Sequence, residues 1–239
     1  LDKARQVAGD TIYGKRIQVL IDELQPRAEL IAEHEKKEKM LNEIRAKAPS
    51  AVAVEGSDLS KAQEYVLKVR GTNAESADAK TSFRVGWDNN VLIFDILCKD
   101  KNVKNLPVSG DVFSGDFVAI TLQTQQHSYY ILEINPDGVI VDGDPAKTWK
   151  SLAEVKPEKG EDYWRLIVKI PVVGADEAAS DPLHRVAGSK PLPDSPWFFN
   201  VGRKRLGNGT DVKDEVQLFS MSERIAWHST EYFGRLEIK

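Results

Sequence analysis

The sequence contains little of what disulfide-rich proteins and metalloenzymes use. Its 239 residues include one cysteine and four histidines. A single thiol can form neither a disulfide framework nor a multi-thiolate metal site within one chain. Cys98 lies in the apolar run VLIFDILC, where we expect a small buried residue. The histidines are scattered along the chain and match no zinc-protease motif.

The chain also has no excess of basic residues and no long apolar run. It carries 33 Lys and Arg against 37 Asp and Glu, a formal net charge of −4. This balance does not support a basic face of the size that nucleic acid requires. No apolar run is long enough to cross a bilayer, and no hydrophobic signal segment follows Leu1. We therefore expect no nucleic-acid partner and no membrane span, and interpret the chain as part of a longer protein.

Motifs for catalysis are missing as well. The sequence has no glycine-rich phosphate loop, no G-x-S-x-G elbow and no H-E-x-x-H helix. Carboxylates crowd the region from Asp111 to Asp144, and a glycoside hydrolase needs only two. Because Asp and Glu are also ordinary residues of turns and strand edges, their spacing decides little. An enzyme using this cluster remains an alternative, and it would hydrolyse an aryl glycoside without other domains.

Two turns rich in oxygen ligands are compatible with a structural calcium ion. They are DGDP at residues 142–145 and DNN at residues 88–90. Calcium accepts carboxylate and amide oxygens in loose geometry, but neither turn matches the twelve-residue calcium loop. We expect no other cofactor.

The N-terminal region shows helical periodicity. Apolar residues recur there on one stripe, which consists of Tyr13, Ile17, Leu20, Ile21 and Leu24. Pro26 interrupts the pattern, which predicts two helices or one bent helix. We assign residues 1–50 to a helical segment. Residues 51–62 are small and polar, which is typical of a linker.

From residue 63 to residue 239 the chain reads as short strands separated by turns. In DFVAITLQ, residues 116–123, apolar residues alternate with a mixed set. The next run, SYYILEIN, ends at Pro136, Asp137 and Gly138, which favour a turn. Many such strands predict a mainly β fold, an antiparallel β-sandwich of the jelly-roll or immunoglobulin-like class. The four-proline stretch 172–196 is a binding loop, a cover or disordered.

Aromatic residues in two loops are the best candidates for a binding site. Phe113 lies between glycines in SGDVFSGD, and Trp227 lies in RIAWHSTEYFG. Flat rings stack on the C–H faces of sugars, and a few fixed polar groups orient the hydroxyls. In contrast, three tryptophans lie inside strand patterns, and we expect them in the core. They are Trp87, Trp164 and Trp197.

Six segments occur in the order FRVGWDNNVLIFDILCKD, SGDFVAITL, YYILEINPDG, YWRLIVKIP, PWFFNVGRKR and FGRLEIK. In this order they resemble the family 9 carbohydrate-binding modules, β-sandwiches attached to bacterial polysaccharide-degrading enzymes. The N-terminal helices resemble the tail of the glucuronidase-like domain that precedes such modules in some gut bacteria. The resemblance implies a non-catalytic, extracellular or periplasmic module of a larger glycan-degrading protein. Its partners would be a carbohydrate and a neighbouring enzymatic domain.

In that family two aromatic rings sandwich a terminal sugar, and Phe113 and Trp227 fall at their places. The polar positions differ, because Ala119 stands where a glutamate is common and Glu133 replaces an arginine, whereas Asn135 is retained. We therefore expect a ligand other than the family's reducing-end glucose or xylose, or a loss of binding. The predicted carbohydrate-binding residues are Phe113, Trp227, Glu133, Asn135 and Arg224, with no catalytic residue and no metal ligand.

Two further alternatives remain open. The sandwich could have lost its ligand and serve as a structural or interaction domain, with the aromatic loops packed on a partner. A haem-binding relative of the sandwich would use Met221 and His228 as its axial pair.

Overall fold

The computed structural model describes residues 3, 6, 9, 11–101, 103, 106, 111–125, 129–173, 183–207, 213–220 and 229–238. The chain divides into two compact units, Leu1–Lys47 and Ala48–Lys239. In the described part of the chain, no helix has both the length and the apolar character needed to cross a membrane.

The first unit contains helix α1, Ile12–Arg45, which continues through Pro26. Two helices or one bent helix are predicted here, and the structure has one helix of 34 residues. Thr11 is the N-cap of this helix, and its hydroxyl oxygen accepts a hydrogen bond from the Gly14 backbone N–H at 3.2 Å. Lys37 and Glu33, one turn apart, form an ion pair at 2.7 Å on its charged second half.

The second unit is built from strands, as the alternating patterns predict. The described residues form fourteen strands: β1 (Ser50–Glu55), β2 (Tyr65–Val66), β3 (Lys68–Val69), β4 (Thr81–Asp88), β5 (Val91–Lys99), β6 (Phe117–Gln123), β7 (Tyr130–Ile134), β8 (Ile140–Gly143), β9 (Glu154–Lys159), β10 (Tyr163–Val173), β11 (Val186–Ala187), β12 (Trp197–Arg205), β13 (Glu215–Leu218) and β14 (Gly234–Ile238). The chain is therefore mainly β with an N-terminal helix.

Hydrogen bonds join the strands into one curled, mixed sheet. Its main path runs β11-β10-β5-β4-β1-β14-β12-β6-β7-β8. β1 lies in the middle, where residues 50–53 pair in parallel with β14 and residues 54–55 pair in parallel with β4. A sandwich of two separate sheets is therefore not confirmed. The antiparallel prediction holds only in part, because β1 pairs in parallel with β14 and β4, and β11 pairs in parallel with β10.

Strand β1 occupies most of the segment for which the sequence predicts a linker, residues 51–62. Its sequence SAVAVE is short and has small side chains, which resembles a loop. Ala51 and Ala53 are nevertheless fully buried. Small side chains fit here because β1 is paired with β14 and β4, and its two alanines belong to the packed core.

We call the strands on the two sides of β1 the two strand groups: β11, β10, β5 and β4 form one, and β14, β12, β6, β7 and β8 form the other. The two strand groups pack their apolar faces against each other. Phe199 of β12 lies across this core from Phe83 of β4 and Phe94 of β5, with ring centroids 5.9 and 6.1 Å apart. Such pairs add to the free energy gained from burying the rings. The expected core tryptophans Trp87, Trp164 and Trp197 are all buried, as is Cys98, which confirms those predictions.

A network of four buried charges also crosses between the strand groups. Arg203 of β12 donates through Nη2 to Asp100 at 2.7 Å and to Asp116 at 2.9 Å. Arg205 donates to the two oxygens of Asp100 at 2.8 and 3.1 Å. The Leu206 backbone N–H binds the remaining oxygen of Asp116 at 2.8 Å. Two positive and two negative groups therefore balance each other inside the fold.

The hairpin between β4 and β5 has a two-residue loop of Asn89 and Asn90, both with positive φ, 48° and 60°. This geometry is typical of a type I′ turn, which favours Asn and Gly. We expect Asn90→Val to lower the free energy of unfolding by about 1–2 kcal/mol, because a branched side chain is strained at positive φ. Asn90→Gly should leave it unchanged or higher. Chemical denaturation of both variants checks this, and equal losses would contradict it.

The described part of the proline-rich stretch, residues 172–173 and 183–196, lies within the second unit and contacts other strands of that unit. β11 pairs in parallel with the end of β10, and Val186 is fully buried. The Ala187 backbone N–H donates to the Tyr130 hydroxyl at 3.1 Å. Residues 174–182 lie outside the described residues.

Candidate functional site

Phe113 is presented by a tight turn immediately before β6. The turn is a single 3₁₀ turn, Val112–Ser114, and Asp111 caps it. The Asp111 carboxylate accepts hydrogen bonds from the Ser114 hydroxyl at 2.7 Å and from the Phe113 backbone at 3.1 Å. These bonds hold the pKa of Asp111 below its usual value. The local sequence DVFS therefore folds into a capped turn that fixes the backbone of Phe113.

The Phe113 ring is exposed and supported from one side. It is 47% exposed, whereas Phe117 beneath it is 2% exposed. The two rings meet edge to face, with centroids 5.9 Å apart and planes at 86°. Because Phe117 holds the ring in place, Phe113 can offer an aromatic surface to a ligand at little cost in side-chain entropy.

Glu133 lies on the same face of the sheet as Phe117. Successive side chains of β6 alternate, so Val118 and Ile120 enter the core while Phe117 and Ala119 lie on the outer face. Ala119 pairs directly with Glu133 of β7. The exposed ring, its supporting ring and this carboxyl group therefore share one face.

The Glu133 carboxyl group is nearly buried, with 9% of the residue exposed. Its cross-strand neighbours are the uncharged Ala119 and Val141. Within the described residues it forms no hydrogen bond and no ion pair. Burial without a compensating cation raises its pKa from 4.5 to about 7. A buried polar group without a partner is unusual in a folded protein and indicates a functional position.

Asn135 shapes the turn after β7. Its side-chain oxygen accepts hydrogen bonds from the backbone N–H of Asp137 at 3.0 Å and of Val139 at 2.9 Å. Gly138 has a φ of 82° in this turn. Asn135 is 1% exposed, and its amide oxygen is occupied by the turn. Its predicted role in sugar binding stays a prediction.

Trp227 and Arg224, the other two predicted site residues, lie outside the described residues, as do Met221 and His228. Asn200 of β12, which the sequence prediction missed, holds the chain immediately before that segment. Its side-chain oxygen accepts a hydrogen bond from the Ser220 backbone at 2.9 Å, and its amide nitrogen donates to the Ser220 carbonyl at 3.4 Å. The sequence signal was a polar residue in the centre of the apolar strand WFFNVG.

Apart from Glu133, the carboxylates between Asp111 and Asp144 serve separate structural roles. Asp116 belongs to the buried charge network, and Asp137 forms an ion pair with Lys159. Asp142 accepts a hydrogen bond from the Ser151 backbone at 2.6 Å, and Asp144 from the Thr148 backbone at 3.1 Å. Across the described ranges, no group of three or more His, Cys, Asp or Glu is placed to hold a metal ion.

Comparison with known proteins identifies the fold. No family model and no curated protein sequence matches the chain. A family 9 carbohydrate-binding module from Caldicellulosiruptor kristjanssonii, solved with cellotriose, matches with a TM-score of 0.56 and 13% identity over 80% of this chain and 93% of that chain. The same organism's family 9 module with glucose matches with a TM-score of 0.58 and 14% identity over 80% and 95%. The chain has the fold of a family 9 carbohydrate-binding module.

A third solved structure has the same fold. It is a candidate carbohydrate-binding protein from Bacteroides uniformis ATCC 8492, with a TM-score of 0.57 and 16% identity over 81% of this chain and all of that chain. The family 9 resemblance inferred from the sequence is thus confirmed at the level of the fold. At these identities the likeness shows the fold alone and assigns no binding residue to this chain.

Proposed function

We propose that this chain is a non-catalytic carbohydrate-binding module that holds a sugar ring against Phe113. The proposal is supported by the family 9 fold, whose solved examples include complexes with cellotriose and glucose. The observation that carries it is local to this chain: a half-exposed ring lies on the same face as the nearly buried Glu133, to which no described residue supplies a hydrogen bond or a cation. The face thus combines a stacking surface with a fixed polar group, which is what sugar recognition requires.

In this proposal Phe113 stacks on the C–H face of the sugar, and Glu133 hydrogen-bonds a group on its rim. Trp227 supplies the second ring, and Arg224 and Asn135 supply further polar contacts. In this proposal no bond is made or broken. Between Asp111 and Asp144, the described carboxylates other than Glu133 are engaged in turns and ion pairs. A shallow aromatic clamp gains little from net charge, so binding of a neutral sugar should be weak and insensitive to salt.

The same proposal places the module in an extracellular or periplasmic glycan-degrading protein, beside an enzymatic domain. The helical unit α1 would connect it to that domain. The structural calcium ion that the oxygen-rich turns suggest is a separate proposal, tested by the effect of a chelator on thermal unfolding.

Phe113→Ala is the direct test of the stacking surface. We expect the variant to lose about tenfold or more in affinity for its sugar, since truncating a central aromatic contact costs more than about 1 kcal/mol. Isothermal titration against a panel of glycans at millimolar concentration measures this.

Tyr163→Ala is the matched control. Tyr163 is a partly exposed ring on β10, where the Lys99 ammonium lies 5.2 Å from its centroid. Its removal should leave sugar affinity unchanged. If Phe113→Ala and Trp227→Ala both bind as the wild type does, the site is elsewhere. If the wild type binds no glycan, the structural or interaction role is the better interpretation.

A further inference from the structure

Resting on this proposed function, we propose that Glu133 makes the site selective for an amino sugar, whose protonated amine pairs with the carboxylate. The starting observation is geometric. Glu133 is more than nine-tenths buried on the face that carries Phe113, and no described residue supplies it with a hydrogen bond or a cation.

The surroundings of Glu133 supply no positive charge from the strands beside it. Ala119 lies opposite on β6 and Val141 lies opposite on β8. On β12, the next strand beyond β6, the basic residue Lys204 pairs with Phe117 rather than with Ala119, and its ammonium lies 5.8 Å from the Phe117 ring. Asp137, in the turn after β7, is already paired with Lys159.

A ligand can bring the positive charge that no described residue supplies to Glu133. A hydrogen bond between an ammonium and a carboxylate is roughly twice as strong as one between neutral groups. Its electrostatic part is also larger in a poorly solvated site than in water. A neutral hydroxyl cannot compensate a buried carboxylate in this way. An amine on the sugar rim therefore gains more from Glu133 than a hydroxyl at the same position.

Proton linkage gives a second signature. The unliganded carboxyl group is partly protonated near neutral pH, because burial raises its pKa. An ammonium ligand favours the carboxylate, so binding should release a proton from Glu133. The released proton is taken up by the buffer, and the measured binding enthalpy then depends on the ionisation enthalpy of that buffer.

The experiment compares three sugars that share one pyranose ring and differ at position 2, namely glucosamine, N-acetylglucosamine and glucose. It is done at about pH 7, close to the raised pKa of Glu133. We expect wild-type protein to prefer glucosamine by about tenfold over both neutral sugars. Glu133→Gln should lose this preference for glucosamine over the two neutral sugars, and it should also lose the proton release. Glu154→Gln, which removes an exposed glutamate on β9, is the control and should behave as the wild type does.

The outcomes separate this inference from the proposed function. Equal affinities for glucosamine and glucose, with binding still lost in Phe113→Ala, would overturn the amino-sugar preference and leave sugar binding intact. A preference that survives Glu133→Gln would overturn the role of Glu133. Failure to bind any of the three sugars, or any glycan of the wider panel, would overturn both.

Discussion

Replacing Arg203 with methionine is expected to lower the free energy of unfolding by about 3–5 kcal/mol, because it leaves the buried Asp116 carboxylate without its cation. Arg203 and Asp116 are 0% exposed. The Arg203 guanidinium also donates to the backbone carbonyls of Ala79 at 3.3 Å and of Lys99 at 3.0 Å, and the change removes these two hydrogen bonds as well. Urea denaturation followed by tryptophan fluorescence measures the loss.

Arg84→Met is the matched control for Arg203. Arg84 lies on β4 and pairs with Glu64 at 3.4 Å, and both side chains are about one-third exposed or more. An exposed pair contributes about 0–1 kcal/mol, so this variant should remain close to the wild type. Adding Asp116→Asn to Arg203→Met should recover part of the loss, since it removes one uncompensated charge. Similar stabilities for Arg203→Met and Arg84→Met would show that the network contributes little.

Glu133→Gln is expected to stabilise the fold at high pH. Burial raises the Glu133 pKa from 4.5 to about 7, so the folded state disfavours the ionised form. The difference between these two pKa values corresponds to about 3 kcal/mol at pH values above both. Below about pH 4.5 the group is protonated in both states, and this penalty disappears. As pH rises from about 4.5 to about 7, the wild type should therefore lose stability that the glutamine variant keeps.

Denaturation midpoints of the two proteins at about pH 4, 6 and 8 check this expectation. The curves should converge at the acid end and separate above neutrality. Glu154→Gln provides the comparison for removing a negative charge at an exposed position, and its offset from the wild type should vary little with pH. A constant offset for Glu133→Gln across the range would mean that the carboxyl group is solvated or paired in solution. In that case the amino-sugar preference would also lose its basis.

Local patterns were sufficient to predict many of the strands. The apolar alternation in WFFNVGRKR predicts a strand over residues 197–205, and β12 occupies that range. The Asn-Asn pair after β4 forms the two-residue turn that its residue types favour. Both features depend on contacts between neighbours in sequence, which a single segment already specifies.

Strands without such a pattern were missed. β9, Glu154–Lys159, carries charged residues and Pro157, and it pairs only with β10 among the strands of the described chain. Proline and charge are tolerated on an edge strand, which buries little side-chain surface. β1 was missed for the opposite reason, because its small residues gave no strong signal. Its place in the sheet depends on parallel pairing with β14, 185 residues later in the sequence.

For the candidate site, the sequence by itself determined that Phe113 would be displayed. A large ring in a glycine- and serine-rich turn has few core positions to occupy, and it is exposed in the structure. The sequence also determined the strand alternation that aligns Glu133 with the outer face. Only the tertiary structure decided that this carboxyl group is desolvated and has no partner among the described residues, because its environment comes from β6 and β8 on either side. Turn and strand propensities act between near neighbours, whereas burial and charge pairing depend on which distant strands meet.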